Sequence, residues 1–160
     1  MGRLFLCTLT IKLILIFCAP SHGQSGQAIL SVSGNIAAGQ IDLTRDDLER
    51  LPQSQIRTGT PWHKGIVTFE GPRLSDLMKM VGASGETVEV IALNDYSASL
   101  PFSDFDAFNP ILALKENGQF MTVQSKGPLF VVYPFDDRPE LKTKLYFARS
   151  VWLVRALKIN

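Results

Sequence analysis

Between residues 87 and 93 the side chains alternate, with Val88, Val90 and Ala92 on one face and Glu89, Ile91 and Leu93 on the other. A period of two with β-branched residues predicts a strand against a core. Residues 74–81 follow a different rhythm. Leu74, Leu77, Met78 and Val81 fall at i, i+3, i+4 and i+7, one apolar stripe of a helix, and Gly82 supplies the stop. Before them, 28–32 is a first short strand. Thr44 can cap a helix over 45–51, with Asp47 at the third position of a capping box and Pro52 ending it. Residues 56–58 are extended, Gly59-Thr60-Pro61 turns, 65–70 is a strand, and Gly71-Pro72 is expected to turn the chain again. Residues 97–100 continue as strand up to Pro101, and 104–108 has room for a helical turn. Residues 111–115 and 119–123 flank Asn117-Gly118, the strongest hairpin signal in the chain. A buried strand over 129–133 stops at Pro134, and the alternation across 151–159 should tuck the C-terminus into a sheet. Many short strands, one hairpin and few short helices predict an α+β fold with mixed, largely antiparallel sheets.

The first 23 residues have a different character. Arg3 and Lys12 precede a short apolar run over 13–19, followed by Pro20, Ser21 and Gly23. That order is expected of a signal peptide, processed after Gly23 or, alternatively, after Ala19. Lys12 interrupts the run, which makes it a poor membrane span. A lipoprotein would need a small residue before Cys18, where the chain has Phe17. A single domain over 24–160 would remain, long enough for a core without metal or disulfide. Without Arg3 and Lys12 the 16 basic residues fall to 14 against 15 acidic ones, a net charge of about −1. This balance points away from nucleic acid and anionic lipid. Both cysteines, Cys7 and Cys18, lie in the leader. Export without disulfides fits a bacterial periplasm.

Residues 24–160 carry no P-loop, no glycine-rich dinucleotide turn, no GxSxG elbow and no CxxC. The one histidine there, His63, is either a surface-loop side chain or a base or ligand paired with a carboxylate. Around it, Thr60-Pro61-Trp62-His63 precedes a strand, and Pro61 stiffens the turn. Trp62 is either a flat plate for a planar heterocycle or a core plug. Asn94-Asp95-Tyr96-Ser97 interrupts two β runs. Asp95 can accept two adjacent N–H bonds from an aminopyrimidinone edge and Asn94 offers donor and acceptor, but Asn and Asp also simply favour turns. Lys126 sits before a buried strand, at a sheet rim or in solvent. Tyr133 and Trp152 are aromatic candidates that core packing would explain equally well. Together these groups suggest one pocket for a flat polar ring.

The segments TPWHKGIVTFEGPRLSDLMKMVG (60–82), VEVIALNDYSASLPFSDF (88–105), ILALKENGQFMTVQSKGPLFVVYPFDD (111–137) and RSVWLVRALKI (149–159) carry a resemblance. In this order they resemble the small exported members of the oxidoreductase molybdopterin-binding family, which have the sulfite-oxidase fold. Catalytic members of that family bind a molybdenum–pterin cofactor and hold the metal with a cysteine thiolate, which 24–160 lacks. They also carry a His-Gly-x-Pro-Leu-Arg segment. The matching stretch here is Ser125-Lys126-Gly127-Pro128-Leu129-Phe130, with Ser125 at the histidine position and Phe130 at the arginine position. The resemblance therefore implies a pterin-shaped cleft, and no molybdenum is expected. The small exported branch is similar to periplasmic pterin-binding proteins that relay a signal to membrane proteins controlling cyclic-di-GMP turnover.

The leading expectation is a non-catalytic periplasmic binding protein for a pterin or related heterocycle, a sensor or adaptor for the extracytoplasmic domain of a membrane signalling protein. Its candidate ligand contacts are Trp62, His63, Asn94, Asp95, Tyr96, Ser97, Lys126, Tyr133 and Trp152. The alternatives are a molybdopterin-dependent oxidoreductase or a subunit of one, and an interaction domain with a vestigial cleft.

Overall fold

A computed structural model describes residues 26–160; the expected leader, 1–23, lies outside the described residues. The strand predicted from 28 is β1 (Ala28–Gly34), and it pairs antiparallel with β2 (Gln40–Thr44). Thr44 ends β2 and caps α1 (Arg45–Glu49) in one step. Its Oγ1 accepts from the Asp47 N–H at 3.2 Å, and its own N–H donates to Asp47 Oδ2 at 2.9 Å. That reciprocal box is the one expected from the spacing, and such a cap contributes about 1 kcal/mol. β3 (Gln53–Gly59) and β4 (Ile66–Pro72) form an unbroken antiparallel ladder, closed by the loop that carries Trp62. Gly71-Pro72 is therefore not a turn. Both residues belong to β4, and a Cβ on Gly71 would run into the Leu112 carbonyl, so glycine is there for a backbone crossing.

α2 (Leu74–Met80) buries Leu74, Leu77 and Met78, as its stripe predicts. β5 (Thr87–Ala92) buries Val88, Val90 and Ala92 and pairs with β6 (Ser97–Pro101). α3 (Ser103–Phe108) follows. The predicted hairpin arms are shorter than their apolar content suggested. Residues 111–115 divide into β7 (Ile111–Ala113) and β8 (Lys115–Glu116), with Leu114 buried between them. β8 pairs with β9 (Gln119–Phe120) across Asn117-Gly118, both at positive φ. β7 pairs instead with β10 (Phe130–Val132). α4 (Lys144–Arg149) and β2 were not predicted. α4 buries none of its residues and shows no apolar period, and β2 offers only the short alternation of Ile41 and Leu43. The C-terminal strand β11 (Val154–Ile159) starts three residues later than expected, because Leu153 has φ 57° and breaks the extension.

The larger sheet has the order β2-β1-β11-β5-β6, with β1 and β11 parallel and every other pair antiparallel. The second sheet is β3-β4-β8-β9, and β7 and β10 form a ribbon of their own. The fold is thus α+β and mostly antiparallel. The main core gathers buried residues of the five-stranded sheet, of α1, α2 and α3, and of β7 and β10 with the segments that follow them. A smaller core gathers Ile56, Val67, Phe69, Ile111, Met121, Phe130 and Val132, with Trp62 and Trp152 packed on its edge. Among the described residues, no helix is long and apolar enough to cross a membrane.

Candidate functional site

The β3–β4 loop is anchored where it leaves β3. The Gly59 N–H donates to Asp136 Oδ2 at 2.7 Å, and the Asp136 N–H donates to Thr58 Oγ1 at 3.0 Å. The Lys142 ammonium, 2.7 Å from Asp136 Oδ1, and the Gly59 bond hold the Asp136 carboxyl below its usual range. From this anchor, Pro61 projects Trp62 over the small core. The indole meets Phe130 edge-on at 5.9 Å and Phe147 at 6.2 Å.

A second wall comes from the β5–β6 turn. Asp95 occupies the left-handed region at φ 63°, and Asn94 Oδ1 accepts from the Tyr96 N–H at 3.3 Å. The turn thereby sends Tyr96 toward α4, where its hydroxyl donates to the Ala148 carbonyl at 2.9 Å. The third wall is the segment after α4. Ser150 turns its hydroxyl back to the Tyr146 carbonyl at 3.0 Å, and Trp152 bridges Phe130. These walls border a half-open pocket of about 310 Å³ lined by Trp62, Asn94, Tyr96, Phe147, Ala148, Ser150 and Trp152, of which Asn94, Tyr96 and Ala148 are exposed. Its size is at the lower end of the roughly 300–1,000 Å³ range of small-molecule sites. Both tryptophans of the chain face it.

Of the residues proposed from sequence, Trp62, Asn94, Tyr96 and Trp152 come together around this cavity. The others do not line it. The Asp95 carboxylate is exposed and pairs with the Arg155 guanidinium at 3.2 Å. Ser97 is the exposed first residue of β6. The Lys126 carbonyl accepts from the Leu153 N–H at 2.9 Å, which fixes the segment that presents Trp152. Tyr133 is fully buried, and its hydroxyl donates to Asp104 Oδ2 at 2.8 Å. Burial first, and then the Asp104 bond, push the phenol well above its usual range. Tyr133 is a core residue.

His63 does not line this pocket. It lines a neighbouring cleft of about 550 Å³, together with Thr60, Ile66, Asp136 and Lys142, and Phe147 is a wall of both spaces. Its Nδ1 lies 2.7 Å from Thr60 Oγ1, and its Nε2 is 3.4 Å from Glu116 Oε2. Burial, reinforced by Lys126 and opposed by Glu116, holds the imidazole pKa below its ordinary value. A hydroxyl, an imidazole and a carboxylate in line suggest a hydrolytic triad, but Thr60 is 8% exposed and its Oγ1 already accepts from the Trp62 N–H at 3.3 Å. The arrangement braces a loop. Among the described residues, no group of three His, Cys, Asp or Glu side chains is placed to hold a metal ion.

Sequence reasoning missed Phe147 and Ala148, which come from a helix without an apolar period. Indole, phenyl and phenol groups around one amide make a site for a flat ring with a polar edge.

Comparison with known proteins agrees with this architecture. The chain is 27% identical over 124 residues to an uncharacterized oxidoreductase, YuiH, of Bacillus subtilis (strain 168), covering 74% of this chain. It spans 58% of that relative's length. Its fold matches the crystal structure of the sulfane dehydrogenase SoxCD from Paracoccus pantotrophus with a TM-score of 0.63. That match has 19% identity and covers 81% of this chain and 37% of the other. Residues 25–136 match the profile described as the oxidoreductase molybdopterin binding domain, and the chain belongs to that family.

Proposed function

We propose that this chain is a non-catalytic binding protein for a pterin or a related flat heterocycle, exported to the periplasm, where it acts as a sensor or adaptor for a membrane signalling protein. The observation that carries the reading is the cavity between Trp62 and Trp152, with Asn94 as its polar edge. Two indoles supply stacking surface, and a carboxamide offers donor and acceptor together, which suits the amide and amine of a pterin ring.

The donor set does not fit a molybdenum centre. Residues 26–160 contain no cysteine, so they offer no thiolate for a soft metal. In the stretch that resembles the family's His-Gly-x-Pro-Leu-Arg segment, Ser125 accepts from the Thr122 N–H at 2.9 Å in a local capping box. Phe130 is fully buried against Phe69. Neither position presents a polar group to a cofactor. A second reading, an oxidoreductase or a subunit of one, draws support from the family description and the relative's name. It requires the missing ligands to come from elsewhere.

Protein purified gently from its native host separates the two. Native mass spectrometry and elemental analysis should find an organic heterocycle without stoichiometric molybdenum, and near-stoichiometric molybdenum would overturn the binding-protein reading. Calorimetric titration with 6-methyltetrahydropterin should show Trp62→Ala weakening binding at least about tenfold through lost stacking and burial. Asp95→Asn, whose carboxylate pairs with Arg155, should change affinity less than about twofold, whereas a bidentate contact from Asp95 to the ring predicts a loss of tenfold or more.

A further inference from the structure

We infer that Thr60, His63 and Glu116 form a positioning unit that sets the plane of Trp62, and with it the shape of the cavity, without touching the ligand. Thr60 Oγ1 lies between the Trp62 backbone and the imidazole, accepting from the Trp62 N–H at 3.3 Å and standing 2.7 Å from His63 Nδ1. A hydroxyl that accepts from the backbone has its own proton free for Nδ1, which leaves the Nε2 proton on the Glu116 side. Glu116 Oε2, 3.4 Å from Nε2, is buried and has no hydrogen-bond partner among the described residues. Both ring nitrogens of His63 thus face groups of the protein.

The imidazole is also tied to Trp62 through the aromatic cluster. It stacks on Phe130 at 5.9 Å and 29°, meets Phe69 edge-on at 5.2 Å, and is 12% exposed. Phe130 in turn supports the Trp62 indole edge-on. His63 therefore reaches Trp62 twice, through the Thr60 hydroxyl and through the Phe130 ring. The loop needs such a brace. The β3–β4 ladder ends at the Gly59–Ile66 pair, and Gly65, at φ 80°, has open space around it. Of the charged groups around the imidazole, Glu116 comes from β8 and Lys126 from the turn before β10, while Asp136 and Lys142 share its cleft.

The chain has two tryptophans, so Trp152→Phe leaves Trp62 as the single emitter. In that background, without ligand, Thr60→Val should shift Trp62 emission and raise its quenching by acrylamide at least about 1.5-fold. Thr60→Ser, which keeps the hydroxyl, should restore the parent values. Glu116→Gln, at a half-buried strand residue, tests the same unit if Thr60→Val fails to fold, and should move Trp62 in the same direction. In the complementary Trp62→Phe background the emission of Trp152 should stay unchanged, because a general loosening of the protein would move both. With both tryptophans present, Thr60→Val and His63→Phe should bind 6-methyltetrahydropterin about 5- to 10-fold more weakly, the scale of one lost hydrogen bond. This last arm rests on the pterin reading; the ligand-free fluorescence does not. If the wild-type protein binds no pterin, that reading fails while the fluorescence still decides the positioning unit. Folded Thr60→Val and Glu116→Gln proteins with unchanged Trp62 emission and quenching would overturn the inference, as would equal shifts in Trp152.

Discussion

The Tyr96 hydroxyl donates to the carbonyl of Ala148 at 2.9 Å, joining the β5–β6 turn to α4 across 52 residues of sequence. Both residues line the cavity, so this bond closes one of its sides. It is solvent-exposed, and the net worth of such a bond is at the lower end of about 0.5–1.5 kcal/mol. Tyr96→Phe keeps the ring wall and loses only the bond. Its stability should fall by less than about 1 kcal/mol, while affinity for 6-methyltetrahydropterin falls about 2- to 5-fold through a looser α4 wall. Tyr96→Ala removes the wall as well and should cost at least about tenfold. Titration calorimetry of the two variants tests the relation; equal affinity for wild type and Tyr96→Ala would take this turn out of the site.

Asp104 explains why α4 is held where the cavity needs it. Its carboxylate, on α3 and 5% exposed, accepts from the Tyr133 hydroxyl and from Arg149 Nη1, each at 2.8 Å. Arg149 ends α4 immediately before Ser150, so the buried pair anchors the helix end that forms one wall. Removing one partner of a buried pair leaves the other charge without compensation. Asp104→Ala should therefore lower unfolding stability by about 3 kcal/mol, with Tyr133→Phe costing about 1 kcal/mol. Urea denaturation curves measure both, and an Asp104→Ala loss below about 1 kcal/mol would mean that Arg149 finds water instead.

How legible this was in the sequence depended on whether a residue's role was local. The α2 stripe and the Thr44–Asp47 box depend on side chains within a turn of each other, and both are found where their spacing puts them. Gly71 looked like a turn residue because a glycine serving a close backbone crossing looks identical to one serving a turn; only the Leu112 backbone tells them apart. The site divides in the same way. Trp62 stood out in a loop before a strand, Asn94 and Tyr96 in a turn between two β runs, and Trp152 as an aromatic residue at the start of the last alternating segment. Their convergence depends on long-range contacts such as the Phe130–Trp152 bridge, which no local pattern encodes. Phe147 gave no signal, because α4 packs through half-buried rings and has no continuous apolar stripe. Tyr133 and Asp95 had suitable chemistry, but Asp104 and Arg155 engage them elsewhere.

His63 predicts how stability should respond to acid. An imidazole in the unfolded chain takes up a proton near its ordinary value of 6.5. In the folded protein, burial and the Lys126 charge resist that proton more than Glu116 favours it, so protonation waits for a lower pH. Between these two points the unfolded state holds more protons than the native one, and stability must fall as pH drops. The contribution is complete above pH 6.5, declines below it, and levels off once the folded imidazole is also charged. His63 is the one histidine among the described residues, so no other imidazole there adds to this window. The lowered carboxyl groups Asp47, Glu70 and Asp136 respond further down, because their ordinary values are 3.8, 4.5 and 3.8. Urea midpoints measured from pH 7.5 to 5.0 should therefore decrease for the wild type, and the slope between pH 6.5 and 5.5 should flatten in His63→Gln. An equal slope in both proteins would show that His63 takes its proton as readily folded as unfolded, and a wild-type midpoint that rises on acidification would show that the Glu116 contact outweighs burial.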